Sequence, residues 1–320
     1  MKTMGFLKST KENEKRRALL PEHITQIINK NYLYFEKGYG EALGHEDNEY
    51  ESAGAHVVSR EEAISKDIIC DPKVGDAEYF SELKEGQIIF GWVHAVRNRS
   101  ITDNIIDRRL TAIAWEDMHE DGRHVFWRNN EIAGEAAILH AFTLYGKAPY
   151  ECNVALIGMG NVARGAYKVL SSLGATVTVY NRRTEKLLRE ELGNYDVIVN
   201  GVLWDFYRKD HIIFKDDLSR MKKNSMIIDI SCDRAGAVET SIPTTIENPV
   251  YTINNVLHYV VDHTPALLSY SATKSIGNEL IKYIDDLISE KIDCNDVLKN
   301  ALIIKNGDII DQRIIDFQNR

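Results

Sequence analysis

At 320 residues the chain is long for one hydrophobic core and suits two domains. Its 39 basic and 48 acidic residues give a formal charge of −9, which argues against nucleic acid or an anionic membrane as the main partner and favours a small molecule. No apolar run approaches the ~20 residues of a membrane span, the first residues lack a signal-peptide pattern, and Cys70, Cys152, Cys232 and Cys294 are scattered without metal-like pairing. A cytoplasmic protein is expected, with no metal site and with its cysteines as small core residues.

In chain order, residues 4–7 read as a short buried strand, followed by a charged segment that ends in Arg16 and Arg17. Pro21 opens a helix whose apolar face is Ile24, Ile27 and Ile28. Residues 33–35 and 57–58 are further strands, with glycines in the turns between them. The apolar run 68–70 ends at Asp71, Pro72 and Lys73, and the run 87–92 ends at Val93 and His94. Both suit parallel strands covered on two faces, so Lys73 and His94 fall at strand carboxyl ends, where open α/β sheets bind ligands. With residues 110–115 as one strand more, residues 1–128 read as the first part of a substrate domain.

Residues 132–142 form a helix rich in small and apolar residues, leading into a second domain over 129–265. Its centre is the run 154–165, where an apolar strand turns abruptly into glycines and then into an amphipathic helix. Gly158 allows the sharp turn, Gly160 lets backbone approach a pyrophosphate, and Ala163 takes the small third position. The phosphates then sit on the helix N-terminus, beside Met159, Asn161 and Val162. A β-branched strand over 176–180 ends in Asn181, Arg182 and Arg183. An acid there would hold a free ribose 2′-hydroxyl, whereas two guanidiniums offer forked donors to a 2′-phosphate, which favours NADP over NAD. The alternative is a solvated arginine pair.

Runs at 196–201, 225–230 and 250–253 complete a doubly wound sheet. From about Ser271, Leu280, Ile281, Ile284, Leu287 and Ile288 share one helical face, and residues 266–320 read as a return helix and tail that complete the substrate domain. The expected fold class is α/β, with two Rossmann-like doubly wound domains separated by a cleft.

Taken singly, the candidate side chains keep ordinary alternatives. Lys73 is a cleft lysine that binds a carboxylate or carbonyl oxygen, or a surface lysine. His94 is a general acid or base, or a hydrogen-bonded structural histidine. Arg16 and Arg17 clamp a carboxylate or belong to a solvated run. Asp233 faces cofactor or substrate from a strand end, and Asp229, inside an apolar run, is its structural rival.

Collectively, several stretches resemble one family: 14–21, Pro72 with Lys73, 92–94, 132–134, the Gly158 turn, 233–240, 243–245 and 248–251. In the same order over nearly the whole chain, they are similar to alanine dehydrogenase and its relatives, which include the nucleotide-binding part of proton-translocating transhydrogenase and the lysine-forming saccharopine dehydrogenases. Further stretches at 91–94, 145–146, 160–166, 195–201 and 258–261 resemble the branch that makes N5-(carboxyethyl)ornithine. The resemblance implies Arg16 as a carboxylate binder with Arg17 beside it, Lys73 and His94 as the catalytic pair, and Asp233 near nicotinamide and substrate. It also implies Gly201 and His263 at the cofactor, and a homo-oligomer. The implied activity is NADPH-dependent condensation of pyruvate with the side-chain amine of ornithine or lysine, through an imine reduced by hydride. Alternatives are an alanine or saccharopine-type dehydrogenase and a non-catalytic NADP-binding protein. Lys73 and His94 together speak against binding alone, which requires neither.

Overall fold

Short apolar runs broken by turn residues lay out the first part of the chain as six parallel strands: β1 (Met4–Phe6), β2 (Leu33–Glu36), β3 (His56–Val58), β4 (Ile68–Cys70), β5 (Ile88–Gly91) and β6 (Thr111–Ala114). These come from a computed structural model that describes residues 1–205 and 208–320. The helix Trp127–Tyr145 follows, then β7 (Asn153–Ile157), β8 (Thr176–Tyr180), β9 (Val197–Asn200), β10 (Met226–Asp229) and a hairpin of β11 (Val250–Ile253) with β12 (Val256–Tyr259). The helix Ser269–Ile288 and the strands β13 (Leu302–Lys305) and β14 (Asp308–Ile309) close the chain.

These elements make two compact units, Met1–Trp127 with Ser269–Arg320, and Arg128–Leu268. In the first, the strand order is β14-β13-β6-β5-β4-β1-β2-β3. Every residue of β4, β5 and β6 is buried, as expected of parallel strands covered on both faces. Phe6, Phe35, Phe90 and Trp115 pack with Ile276, Leu280 and Ile284 of the Ser269–Ile288 helix on one face, while Ile69, Ile89 and Ala112 pack with Ile101, Ile105 and Ile314 on the other. In the second unit the order is β8-β7-β9-β10-β12-β11, parallel except for β11. Both sheets are of the expected α/β class.

Four readings of the sequence need correction. The helix opened by Pro21 stops at Ile24, and Ile28 is 83% exposed, because the Ile28 and Asn29 N–H groups donate to the Asp285 carboxylate rather than to helical carbonyls. Residues 302–309, read as tail, pair antiparallel beside β6. The partner strand β12 went unread because its alternation is carried by a buried histidine, His258, which bonds Thr240. Cys70 and Cys152 are buried, but Cys232 is half-buried and Cys294 exposed, so the cysteines are not uniformly core residues. Among the described residues no helix is long and apolar enough to cross a membrane.

Candidate active site

Because β1, β4, β5 and β6 are neighbours and parallel, the loops after them open on one rim of the first unit, where open α/β sheets receive ligands. Those loops carry Lys11 and Arg16, Lys73, His94 and Glu116 in turn. Arg16 is buried over the Trp92 ring, 5.0 Å from its centroid, and its Nε and terminal nitrogen donate to the two Glu14 oxygens at 2.8 and 2.5 Å. Burial pushes the Glu14 carboxyl up, but the Arg16 charge and hydrogen bonds, with Lys73 adding to them, outweigh it and hold Glu14 below its ordinary range. Glu14 therefore fixes the guanidinium in orientation.

Arg17 is committed differently. Its Nε donates to the Tyr39 carbonyl at 2.5 Å, another nitrogen donates to the Arg16 carbonyl at 2.8 Å, and its backbone N–H donates to the Thr273 hydroxyl at 2.9 Å. These bonds bind the charged loop to the core rather than aiming the group outward.

Lys73 is buried, with its Nζ 3.5 Å from Asp76 Oδ2, an oxygen that Lys11 Nζ also reaches at 3.1 Å. Burial opposes ionisation of Asp76, but Lys73, Lys11 and His94 together hold its carboxyl below the usual range, which brings His94 into the same electrostatic neighbourhood. The loop carrying Lys73 is anchored by Asp71, which accepts the Lys73 N–H at 2.8 Å and the Tyr79 hydroxyl at 2.9 Å. Full burial pushes the Asp71 carboxyl up to about 6 despite those bonds.

His94 has a positive φ of 56°, uncommon outside glycine, and its half-exposed imidazole stands on the rim. Glu116 accepts the backbone N–H of Val93 at 3.1 Å and of His94 at 2.5 Å, and burial, with Asp117 beside it, pushes its carboxyl up to about 7. Glu116 was not among the residues expected from the sequence. Its signal was available: it stands at the carboxyl end of the apolar run 111–115, as Lys73 and His94 stand at theirs. The first unit thus brings Arg16, Lys73 and His94 to one rim, and adds Glu14, Asp76 and Glu116 to them.

In the second unit, Gly158 takes φ 108°, and a Cβ there would lie 3.2 Å from the Gly201 carbonyl, so only glycine makes this turn without strain. Gly160 precedes the helix Asn161–Ser172, and a Cβ added to it would meet nothing within 4 Å, leaving open space over the N–H groups of the first helical turn. That space at a helix N-terminus fits a dinucleotide pyrophosphate. Met159 is 69% exposed beside it, Asn161 accepts from Arg164, and Gly201 holds the end of β9 to β7 through its N–H to Ile157. After β8, Asn181 closes a tight turn by accepting the Arg183 N–H at 2.9 Å, which leaves Arg182 and Arg183 exposed where a ribose would lie. A hollow of about 510 Å³ runs from Gly158 and Met159 along the Asn161–Ser172 helix to Tyr167 and Lys168. It is lined by Val179 and not by Asn181, Arg182 or Arg183, so it does not trace the ribose end of the path.

The two aspartates at the end of β10 and just after it separate by environment. Asp229 is buried, accepting from Asn200 at 2.8 Å, from the Ser241 hydroxyl and from the Cys232 N–H, and burial raises its carboxyl. Asp233 is half-buried in the following turn, where its carbonyl accepts the Gly236 N–H at 2.9 Å. His263 is buried with its Nδ1 2.6 Å from Asp262 Oδ1.

Residues 5–129 and 181–312 match the models described as alanine dehydrogenase/PNT, N-terminal domain and C-terminal domain. The chain is 34% identical over 298 residues to an N(5)-(carboxyethyl)ornithine synthase of Clostridium botulinum, covering 88% of this chain and 93% of that protein. It is 30% identical over 309 residues to the protein of the same name from Lactococcus lactis subsp. lactis, covering 91% and 96%. Among solved structures, an L-alanine dehydrogenase superposes with a TM-score of 0.84 at 21% identity, over 99% of each chain, which is a likeness of fold.

Proposed function

The chain belongs to the alanine dehydrogenase/PNT family and is an oxidoreductase acting on CH–NH groups, and from that premise we propose that it condenses pyruvate with the side-chain amine of ornithine or lysine and reduces the resulting imine with NADPH. The observation that carries the reading is the gathering of Arg16, Lys73 and His94 on one rim of the first unit, in a chain whose relatives include carboxyethylornithine synthases at 34% and 30% identity.

The residues divide the work as their chemistry dictates. Arg16, held flat by Glu14, and Lys73 take the keto-acid carboxylate and polarise the carbonyl oxygen. The amine nitrogen bonds to the keto carbon and passes one proton to the carbonyl oxygen, and His94 protonates the resulting carbinolamine hydroxyl so that it departs as water and the nitrogen, keeping its remaining proton, forms the protonated imine. Glu116 holds the His94 backbone in the conformation that presents the imidazole. Gly158, Gly160 and the turn at Asn161 and Val162 would receive the cofactor phosphates, and Arg182 and Arg183 the 2′-phosphate. NADPH, when bound, supplies the hydride that reduces the imine.

The experiment is NADPH oxidation with pyruvate and, in turn, ammonia, ornithine, lysine and glutamate. Turnover with ornithine or lysine at least a hundredfold above ammonia is expected. Faster turnover with ammonia would make the protein an alanine dehydrogenase, and no turnover with any amine would reduce it to a cofactor-binding protein.

A further inference from the structure

Strand β8 (Thr176–Tyr180) lies at the edge of the second unit's sheet and, among the described residues, pairs only with β7. The Thr176 N–H donates to the Cys152 carbonyl and the Tyr180 carbonyl accepts the Gly158 N–H, so Thr176, Thr178 and Tyr180 turn their main-chain groups toward β7. Val177 and Val179 therefore turn theirs outward, where no described strand meets them. Thr176, Thr178 and Val179 are exposed, and the strand holds no charge, proline or bulge. An open edge of that kind is a template for another strand, and proteins ordinarily blunt it. The other edges of the two sheets are blunted: β14 has two residues and begins at Asp308, β3 has three, and β11 follows Pro249 with three of its four residues half-buried.

We propose that β8 is the docking edge for a second copy of this chain, the two strands pairing antiparallel about a two-fold axis at Thr178. In that register Val177 of each copy stands opposite Val179 of the other and exchanges both main-chain hydrogen bonds with it, while the two Thr178 residues meet as the closer, non-bonded pair. The edge is thus complementary to itself, and the proposal stands apart from the reading of the reaction.

The side chains around the strand agree. Val179 and Tyr167 share the wall of the hollow along the Asn161–Ser172 helix, Leu173 stands just before the strand, and all three are 40% or more exposed. Tyr150 is 71% exposed and lies against the Gly174 turn, its Cβ 3.2 Å from where a Cβ of that glycine would stand. Apolar groups gathered along one edge are what a partner removes from water. Charge does not oppose the approach: the chain carries −9 overall, but the strand is neutral, and Arg164 and Lys168 on the hollow's wall meet Glu131 and Glu135. With the strand itself the patch offers on the order of 600 Å² per copy, which doubled reaches the roughly 1,200 Å² where specific interfaces begin. A two-fold pair of like chains is the commonest assembly, and a self-complementary edge is what it requires.

The test places charge on the axis. Thr178→Lys and Thr178→Glu leave the bonds to β7 intact, because the Thr178 side chain is exposed and its main chain faces inward, yet each sets like charges directly opposite one another in the pair. The mass of the full-length protein is measured by analytical ultracentrifugation at micromolar concentration. The unaltered protein should be a dimer or an even multiple of chains, and each variant should have half that mass with an unchanged thermal midpoint. An equimolar mixture of the two variants should return to the parent mass, because lysine then faces glutamate. A monomeric parent would leave the edge to some other protein's strand and overturn the proposal, as would an odd number of chains, a variant that keeps the parent mass, or a mixture that stays at half. Amide hydrogen exchange of the unaltered protein needs no variant to fold. The outward Val177 and Val179 amides should exchange at least tenfold faster after dilution to the monomer, and rates that ignore concentration would equally overturn the proposal.

Discussion

The Glu116 carboxylate accepts the backbone N–H of His94 at 2.5 Å, and the same oxygen lies 3.9 Å from His94 Nδ1, so one part-buried acid both fixes the loop that presents the imidazole and faces the ring electrically. The other charged and titratable groups around it are Asp117, which pairs with Arg313, and His124, whose ring bonds the Trp115 carbonyl and is pushed down to about 4 by burial. With Glu116 titrating at about 7, its negative charge is present above neutrality and favours the protonated imidazole there. Glu116→Gln removes the charge and keeps one of the two oxygens, which can still accept the His94 N–H. Its rate should match that of the unaltered protein below pH 6 and fall progressively behind above pH 7. Profiles that stay parallel from pH 6 to 9 would show that the charge plays no part in turnover.

The same carboxyl predicts an effect of pH on stability. Its folded pKa of about 7 stands above the ordinary 4.5, so the favourable contribution of its protonated form is complete below 4.5 and is lost as pH rises through about 7. Removing the titration should therefore make the stability of Glu116→Gln relative to the parent rise between pH 4.5 and pH 8, by as much as about 3 kcal/mol. Denaturant melts of both proteins at the two pH values measure the change, and a difference between variant and parent that is the same at pH 4.5 and pH 8 would contradict it.

Lys73 and His94 should fail together in turnover and separately in binding. Lys73→Met removes a buried ammonium near the carboxylate site and should raise the KM for the keto acid. His94→Gln removes the proton carrier and should lower kcat with little change in KM. Each should cost about 10²–10⁴-fold in kcat/KM, the usual size of an acid–base contribution. NADPH affinity, measured by fluorescence, should hold in both, and near-normal turnover by either variant would make that residue structural.

What the sequence made legible follows from which physics is local. The strand, turn and helix at 153–172 could be read because an apolar run, a positive-φ glycine and a small residue are all local demands, and β4, β5 and β6 because parallel strands covered on both faces need continuous apolar runs. Non-local bonds hid the rest. The early end of the Pro21 helix depends on Asp285, more than 250 positions away. The strand pairing of Leu302–Lys305 depends on an edge that β6 leaves open. At the site, Arg16 and Arg17 are adjacent and identical in chemistry. Nothing in the sequence tells that one guanidinium meets a carboxylate and the other two backbone carbonyls.

Cofactor choice can be tested at the loop after β8. Arg182 and Arg183 are exposed on a turn that Asn181 fixes, so replacing both with alanine removes charge without disturbing buried structure. Loss of charge-assisted hydrogen bonds to a 2′-phosphate should weaken NADPH by about 1–3 kcal/mol and leave NADH nearly unchanged. Fluorescence titration with both cofactors measures this, and equal affinity of the unaltered protein for the two would refute the preference.

Two kinds of glycine in the second unit should answer oppositely to the same substitution. A Cβ on Gly165 would lie 1.9 Å from the Glu131 carbonyl oxygen, and one on Gly134 would lie 2.1 Å from the Val162 carbonyl oxygen. The helices Trp127–Tyr145 and Asn161–Ser172 therefore touch backbone to backbone at both points. Alanine would gain up to about 1 kcal/mol of helix propensity at either site. The obstacle is main chain, which cannot swing aside, and the helices must separate, at a cost of about 1–3 kcal/mol or more from overpacking. Gly134→Ala and Gly165→Ala should each lower stability in denaturant melts. Gly160→Ala should melt like the parent, since its Cβ meets nothing within 4 Å, yet bind NADPH at least tenfold more weakly, because its methyl fills the space over the helix N-terminus where the pyrophosphate would rest. Unchanged NADPH affinity in that variant would remove Gly160 from the cofactor site, and unchanged melting of Gly165→Ala would show that the two helices yield at their contact.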